Sequence, residues 1–250
     1  SDFKSDYSVI DNDGSRFYVF TNQGASNYRL VSFQLGQTSG FRDVIGEKSD
    51  VLQEVAVANG VFIAKYLQDA KSVLKLFDKS GKLVRDIPLE TIGTVDQLSA
   101  DAKDSVFYYS LTTFTAPTTI YEYHIHDGTQ SVYFRPAMSF RSEDYVTDQV
   151  FYTGLDGTRI PMFIVHHKYM VRDGQQPTLL FGYGGFNISK TPEFKIERLV
   201  FLEQGGVFAM PCIRGGGEYG ESWHEAGTGL KKDRKSTRLN SSHTVISYAV

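Results

Sequence analysis

Val61–Tyr66 reads VFIAKY, an apolar, β-branched and aromatic run that opens directly after Asn59-Gly60. That composition behind an Asn-Gly turn signal predicts a strand. Two runs of the same character flank it at nearly equal distances. Arg16–Phe20 (RFYVF) starts 45 residues earlier and Ser105–Ser110 (SVFYYS) starts 44 residues later. Each is followed by a second strand-like run: Tyr28–Phe33, Val73–Phe77 or Thr119–Tyr123. Turn signals bracket the pairs, with Asp13-Gly14, Asn59-Gly60 and the polar Asp101–Asp104 before them and Leu35-Gly36, Ser80-Gly81 and Asp127-Gly128 after. A period near 45 residues made of short antiparallel strands is the pattern of β-propeller blades. An irregular β-sandwich with coincidental spacing is the alternative. About three blades cannot close a ring, because propellers have roughly 4–8. The repeat therefore implies an incomplete propeller, or no propeller at all.

The whole 250-residue chain fits this frame. Hydrophobic residues make up 41% and charged residues 22%, an ordinary globular balance that excludes a disordered chain; the 23 Gly and 7 Pro follow no triplet period, which excludes collagen. No apolar run approaches the roughly 18 residues of a membrane-crossing helix. A net charge of −3 gives no reason to expect nucleic acid or an anionic membrane as partner. The single cysteine, Cys212, excludes an internal disulfide and a cysteine-rich zinc site. No basic start followed by an apolar stretch is visible from Ser1, so no signal peptide is expected within this stretch.

Near residue 140 the texture changes. Arg141–Asp144 is a charged junction. Val146–Tyr152 and Arg159–His166 then read as two strands joined through Gly154-Leu155-Asp156-Gly157. Thr178–Phe181 is a short apolar strand. Thr191-Pro192-Glu193 predicts a helix start with Thr as N-cap, Ile196, Leu199 and Val200 sharing one apolar face, and Gly205-Gly206 ending it. Val207–Ile213 reads as a buried strand entering the glycine loop Arg214–Gly220. Strand, helix and strand with glycine-rich loops predict a parallel α/β sheet, and a domain boundary at 138–146.

Several motifs imitate known chemistry. Gly215-x-Gly217-x-x-Gly220 matches a dinucleotide fingerprint, but Glu218, Tyr219, Glu221 and Trp223 crowd it with anions and bulk where a pyrophosphate would lie. Gly220-Glu221-Ser222-Trp223-His224 begins like a nucleophile elbow and ends in His instead of Gly. His224-Glu225 begins a zinc-protease motif, but Thr228 stands where the second histidine belongs. His124 and His126 would share a strand face beside Asp127, as a solvated pair or a metal site. His166-His167 would point to opposite faces. Asn187-Ile188-Ser189 fits a glycosylation sequon, and Cys212 on a core strand reads as buried and inert. Phe181-Gly182-Tyr183-Gly184-Gly185-Phe186 follows a strand, as oxyanion loops of α/β-hydrolases do. Tyr183 reads either as a donor there or as a packed ring in a glycine turn.

Four motifs together carry a resemblance: Asp156–Val165 (DGTRIPMFIV), Phe181–Ser189 (FGYGGFNIS), Ile213–Gly220 (IRGGGEYG) and Ser222–Gly227 (SWHEAG). They resemble prolyl oligopeptidase, a serine peptidase family in which a seven-bladed propeller caps an α/β-hydrolase domain. Residues 1–138 resemble the last three or so blades. Gly185-Phe186 stands where the related oligopeptidase B tends to have Ser-Tyr, which favours the proline-specific branch. The resemblance covers 1–232 and then stops. In its place stands DRKSTRLNSSHTVISYAV, of which one back-translation of Asp233–His243 looks like a common sequencing adapter with Ile246–Val250 as its continuation; a genuine divergent C-terminus is the alternative.

The resemblance implies β-propeller blades over 1–140, the start of an α/β-hydrolase catalytic domain over 141–232, and a non-native tail over 233–250. It implies a serine endopeptidase cutting short peptides after proline, with Tyr183 as the oxyanion hydroxyl donor and Phe186 in substrate binding. The Ser, Asp and His of the triad are absent from this chain, so this fragment is expected to be inactive. No metal or organic cofactor is called for, since side chains carry the chemistry. The expected partners are short proline-containing peptides, with no nucleic acid or membrane, and the parent is expected to be monomeric. The compartment stays open, with cytoplasm favoured and periplasm the alternative. The rival reading is a non-catalytic β-propeller interaction module with an α/β appendage.

Overall fold

A computed structural model describes residues 5–36 and 40–229. Expectations for 233–250 lie outside the described residues. The chain divides into two units. The first takes in the chain up to Thr91, with Val95–Leu111 and Thr119–Phe134; the second takes in Ile92–Thr94, Thr112–Thr118 and the chain from Arg135 onward.

The first unit is built on three four-stranded sheets, each in sequence order. β1 (Tyr7–Asp13), β2 (Arg16–Thr21), β3 (Arg29–Gln34) and β4 (Arg42–Ile45) form one. β5 (Val51–Ala58), β6 (Val61–Gln68), β7 (Lys71–Asp78) and β8 (Leu83–Ile87) form the next, and β9 (Thr94–Ala100), β10 (Val106–Thr112), β11 (Thr119–His124) and β12 (Gln130–Phe134) the third. The recurring runs of the sequence are β2, β6 and β10, each antiparallel to the strand that follows it. The repeat therefore located the inner two strands of every sheet. Of the outer strands it missed, β1 and β12 bury no residue, while β5 buries four of eight and was missed all the same.

Local turn chemistry sets the register. Ala58 pairs with Val61 across Asn59-Gly60, with φ of 43° and 72°. Two consecutive positive φ values define the type I′ turn, whose twist matches that of the flanking strands. The middle sheet is then apolar on both faces. Phe62, Ala64 and Tyr66 of β6 join Tyr18, Leu30, Ile45 and Leu52 in one core, while Ile63 joins Leu74, Leu76, Phe107, Tyr109 and Tyr123 in another. Alternation of period two sends neighbours of one strand into different cores.

In the second unit, a 3₁₀ turn at Ser142–Asp144 leads into β13 (Tyr145–Thr153), and β14 (Arg159–His167) returns antiparallel to it from Tyr145↔His167 to Thr153↔Arg159. β15 (Thr178–Leu180), α1 (Ile196–Glu203), β16 (Val207–Pro211) and α2 (Glu221–Glu225) follow, and the sheet order is β13-β14-β16-β15. Only β15 and β16 are parallel; β14 and β16 run antiparallel. The expected parallel sheet is thus a mixed one. The helical crossover governs only the β15–α1–β16 unit, while the hairpin at Gly154–Gly157 forces its two strands antiparallel.

The helix also differs from expectation. It starts at Ile196 behind Lys195, not at Pro192 behind Thr191. The Pro192 carbonyl accepts the Thr94 hydroxyl at 2.7 Å and the Glu193 carbonyl accepts Arg198 Nη1 at 2.5 Å, so both are taken by side chains. Its buried face carries Arg198, Leu199 and Leu202, while Ile196 and Val200 are exposed. The Arg198 guanidinium lies 4.0 Å from the Phe208 ring centre and 5.2 Å from that of Phe114. A planar cation stacked on aromatic faces rotates the helix away from the purely apolar choice. Gly205 and Gly206 close the helix as expected, donating to the carbonyls of Leu202 and Phe201.

Candidate active site

β15 and β16 end side by side because they run parallel, and the loops leaving their carboxyl ends meet there. Phe181 N–H still bonds the Ala209 carbonyl at 2.9 Å, and Tyr183 pairs with Cys212 in a parallel bridge two residues further on. Tyr183 is therefore carried on backbone that continues the sheet. A Cβ on Gly184 would lie 2.3 Å from the Arg214 carbonyl oxygen, so only glycine lets the two loops approach this closely.

The Tyr183 hydroxyl lies over Gly185, whose Cβ would stand 3.6 Å from it. Among the described residues that hydroxyl has no hydrogen-bond partner. The Lys190 ammonium sits 4.9 Å from the centre of the Tyr183 ring. Beyond the tyrosine, Phe186 and Asn187 both take positive φ, 55° and 57°. Consecutive left-handed residues other than glycine are strained and need outside support. They turn the Phe186 ring outward, 86% exposed. Support comes from below: Asn187 N–H lies 3.1 Å from the Gly215 carbonyl and 3.1 Å from His224 Nδ1, and that nitrogen lies 2.8 Å from the same carbonyl.

The glycine loop is filled rather than open. Glu218 is 1% exposed, and its Oε1 accepts the Lys190 N–H at 2.7 Å. A Cβ on Gly216 would lie 2.3 Å from Glu218 Oε2, so the carboxyl occupies the space a bound phosphate would need. Burial pushes this carboxyl up to about 7, against the opposing pull of its hydrogen bonds. Cys212 is fully buried, its thiol lies 3.3 Å from the Lys190 carbonyl, and burial raises its pKa well above the ordinary range. Arg214 is buried and donates to Asp156 Oδ2 at 2.6 Å and to Thr158 Oγ1 at 3.0 Å, tying the β13–β14 hairpin to the loop. The Arg214 hydrogen bond holds the Asp156 carboxyl well below the usual carboxylate range.

The other sequence candidates come out as follows. β11 ends at His124, so His126 lies beyond the strand and does not share its face. His124 Nε2 meets Glu122 at 3.0 Å, and Asp127 caps its own turn through Thr129. His166 is buried and His167 half-buried on alternate faces of β14. Ser222 is exposed in α2, and the His224 Nδ1 is engaged by the loops, so this segment forms no nucleophile–base pair. The side-chain oxygen of Asn187 faces Gly217, whose Cβ would come within 2.7 Å of it. Sequence reading missed the supporting roles of Arg214, Glu218 and His224. The available signal was the density of charged residues in a glycine loop entered from a buried strand.

Comparison with known proteins bears on the whole chain. Residues 1–136 match the model of the prolyl oligopeptidase N-terminal β-propeller domain, and 192–238 match that of the prolyl oligopeptidase family. A prolyl endopeptidase from Elizabethkingia meningoseptica is 44% identical over 232 residues, covering 92% of this chain and 33% of that protein. Prolyl oligopeptidase A from Galerina marginata is 37% identical, covering 92% and 32%. Among solved structures, prolyl oligopeptidase B from Galerina marginata bound to a 35-mer hydrolysis and macrocyclization substrate matches with a TM-score of 0.85 at 33% identity, over 94% of this chain and 34% of that one. The chain spans about a third of the length of these relatives.

Proposed function

The chain belongs to the prolyl oligopeptidase family, and from that premise we propose that it is part of a serine endopeptidase that cleaves short peptides on the carboxyl side of proline. Residues 1–140 supply propeller blades and 141–232 the start of the catalytic domain. The nucleophile, its base and the orienting acid come from outside this chain, which alone is inactive. In such a reaction the serine attacks the carbonyl carbon and the carbonyl oxygen becomes an oxyanion in the tetrahedral intermediate. A donor fixed where that oxygen moves stabilises the transition state more than the bound substrate.

The observation that carries the reading is the idle Tyr183 hydroxyl, held at the carboxyl end of two parallel strands with no partner among the described residues. A phenol with an unperturbed pKa of about 10 stays a neutral donor at neutral pH. The exposure of the Phe186 ring, 86%, supports its role in substrate binding. The relatives named prolyl endopeptidase support the specificity, and the solved relative holding a 35-mer peptide supports the substrate class.

Tyr183→Phe in the full-length enzyme keeps the ring and removes the donor. The expected outcome is a kcat lower by about 10²–10³ with KM little changed. A near-normal kcat on a peptide whose chemical step is rate-limiting would sink the assignment.

A further inference from the structure

Leu180 pairs with Ala209 and Tyr183 with Cys212, three residues on in both chains, so the parallel register runs unbroken past the end of β15. Phe181 and Tyr183, two residues apart on that backbone, therefore send their rings to one side. The turn at Phe186 and Asn187 brings the chain back to them. Lys190 returns its ammonium to both rings, 4.9 Å from the centre of Tyr183 and 5.7 Å from that of Phe181. The backbone of Lys190 is fixed on either side: its N–H donates to Glu218 Oε1 at 2.7 Å, and its carbonyl accepts the Cys212 thiol at 3.3 Å. The side chain is half-buried, and its ammonium makes no hydrogen bond or ion pair among the described residues. The Glu218 carboxyl feels its charge without pairing with it.

We propose that Lys190 is a positioning residue for the Tyr183 hydroxyl: its ammonium holds the ring by a cation–π contact and draws electron density out of the phenol, so that the O–H donates more strongly to an oxyanion. The role rests on the reading of Tyr183 above and adds a second residue to it, seven positions away and outside the glycine run. A cation over an aromatic face is attracted by the ring quadrupole, and the contact gains as competing water is removed. The polarised hydroxyl helps the transition state more than the bound peptide, because the carbonyl oxygen carries its full charge only there. An arginine also stacks on aromatic faces and keeps its charge, so it can take over the role; a neutral side chain cannot.

The test is a double-mutant cycle in the full-length enzyme, on a proline-containing chromogenic peptide whose chemical step is rate-limiting. Lys190→Met keeps an unbranched stem and removes the charge. It should lower kcat by about three- to tenfold with KM little changed, the range set by a half-exposed cation–π contact. Lys190→Gln, neutral but polar, should repeat that loss, and Lys190→Arg should hold kcat within about twofold of wild type. In a Tyr183→Phe background, Lys190→Met should cost nothing further, since the hydroxyl through which it acts is gone. Where Tyr183→Phe shows its own loss, an unchanged kcat in Lys190→Met, a loss confined to KM, or an equal loss with and without the tyrosine hydroxyl would overturn the role of Lys190 alone. A normal kcat in Tyr183→Phe would instead bring down the oxyanion reading, and this role with it.

Discussion

The stacked sheets and the glycine-loop site are built on opposite principles. In β6, Phe62, Ile63 and Ala64 are all fully buried, and each finds apolar partners from more than one strand. At the site the chain runs Gly215-Gly216-Gly217 and supplies no side chain at all for three residues. What fills the space there is one carboxyl, Glu218, and what supports the strained turn beneath Phe186 is one imidazole, His224. Apolar burial is spread over many small contacts and tolerates the loss of any one of them only in proportion to its area. A polar site rests on a few directional contacts, so its failures are local, and they depend on pH.

The most damaging expected stability change tests the first half of that contrast. Phe62→Ala removes a ring between the first two sheets, where Tyr18 packs edge-on against it at 5.0 Å. It should cost about 3–5 kcal/mol in denaturant unfolding. A loss below about 1 kcal/mol would show that the sheets are not close-packed there.

The second half is tested by comparing wild type with Glu218→Gln across pH. The folded carboxyl sits near 7 and the ordinary one at 4.5, so the folded state binds the extra proton between those values. Stability from this group is fully present below about pH 4.5 and is lost as pH rises through 7. The variant should match wild type near pH 4.5 and exceed it by up to about 3 kcal/mol above pH 8, since each pKa unit is worth about 1.4 kcal/mol. Parallel curves at all pH values would mean that the site stores no such charge.

The smallest effect belongs to the outer face of α1. Val200→Ser, at a half-exposed position, should change stability by no more than about 0.5 kcal/mol, whereas Leu202→Ala, at 1% exposure, should cost about 2–5 kcal/mol. Equal losses from the two would return Val200 to the buried face that the apolar spacing of the sequence suggested.

The legible parts of the chain are those whose cause is local. VFIAKY and its two counterparts betray the inner strands because β-branched and aromatic residues concentrate there, between turn signals. Asn59-Gly60 marks a hairpin because its backbone demands positive φ. FGYGGF marks the loop at the strand ends because close approach demands glycine. Even the mimicry in Gly215-x-Gly217-x-x-Gly220 was readable as a decoy, since bulk and charge in the loop are written in the sequence. Outer strands such as β1 and β12 were not legible, because exposed strand residues leave no such record.

What only the tertiary structure decided is the pairing of distant polar groups. Nothing near Arg198 in the sequence says that Phe114 and Phe208 will flank its guanidinium and turn the helix so that Val200 faces out. Nothing near Glu218 says that the Lys190 amide, 28 residues away, will meet its carboxyl. Hydrophobic burial is non-directional and roughly proportional to area, so a residue's type and spacing foretell it. A buried hydrogen bond depends on distance and angle between atoms that the chain brings together only on folding, and no periodicity in one dimension carries that information.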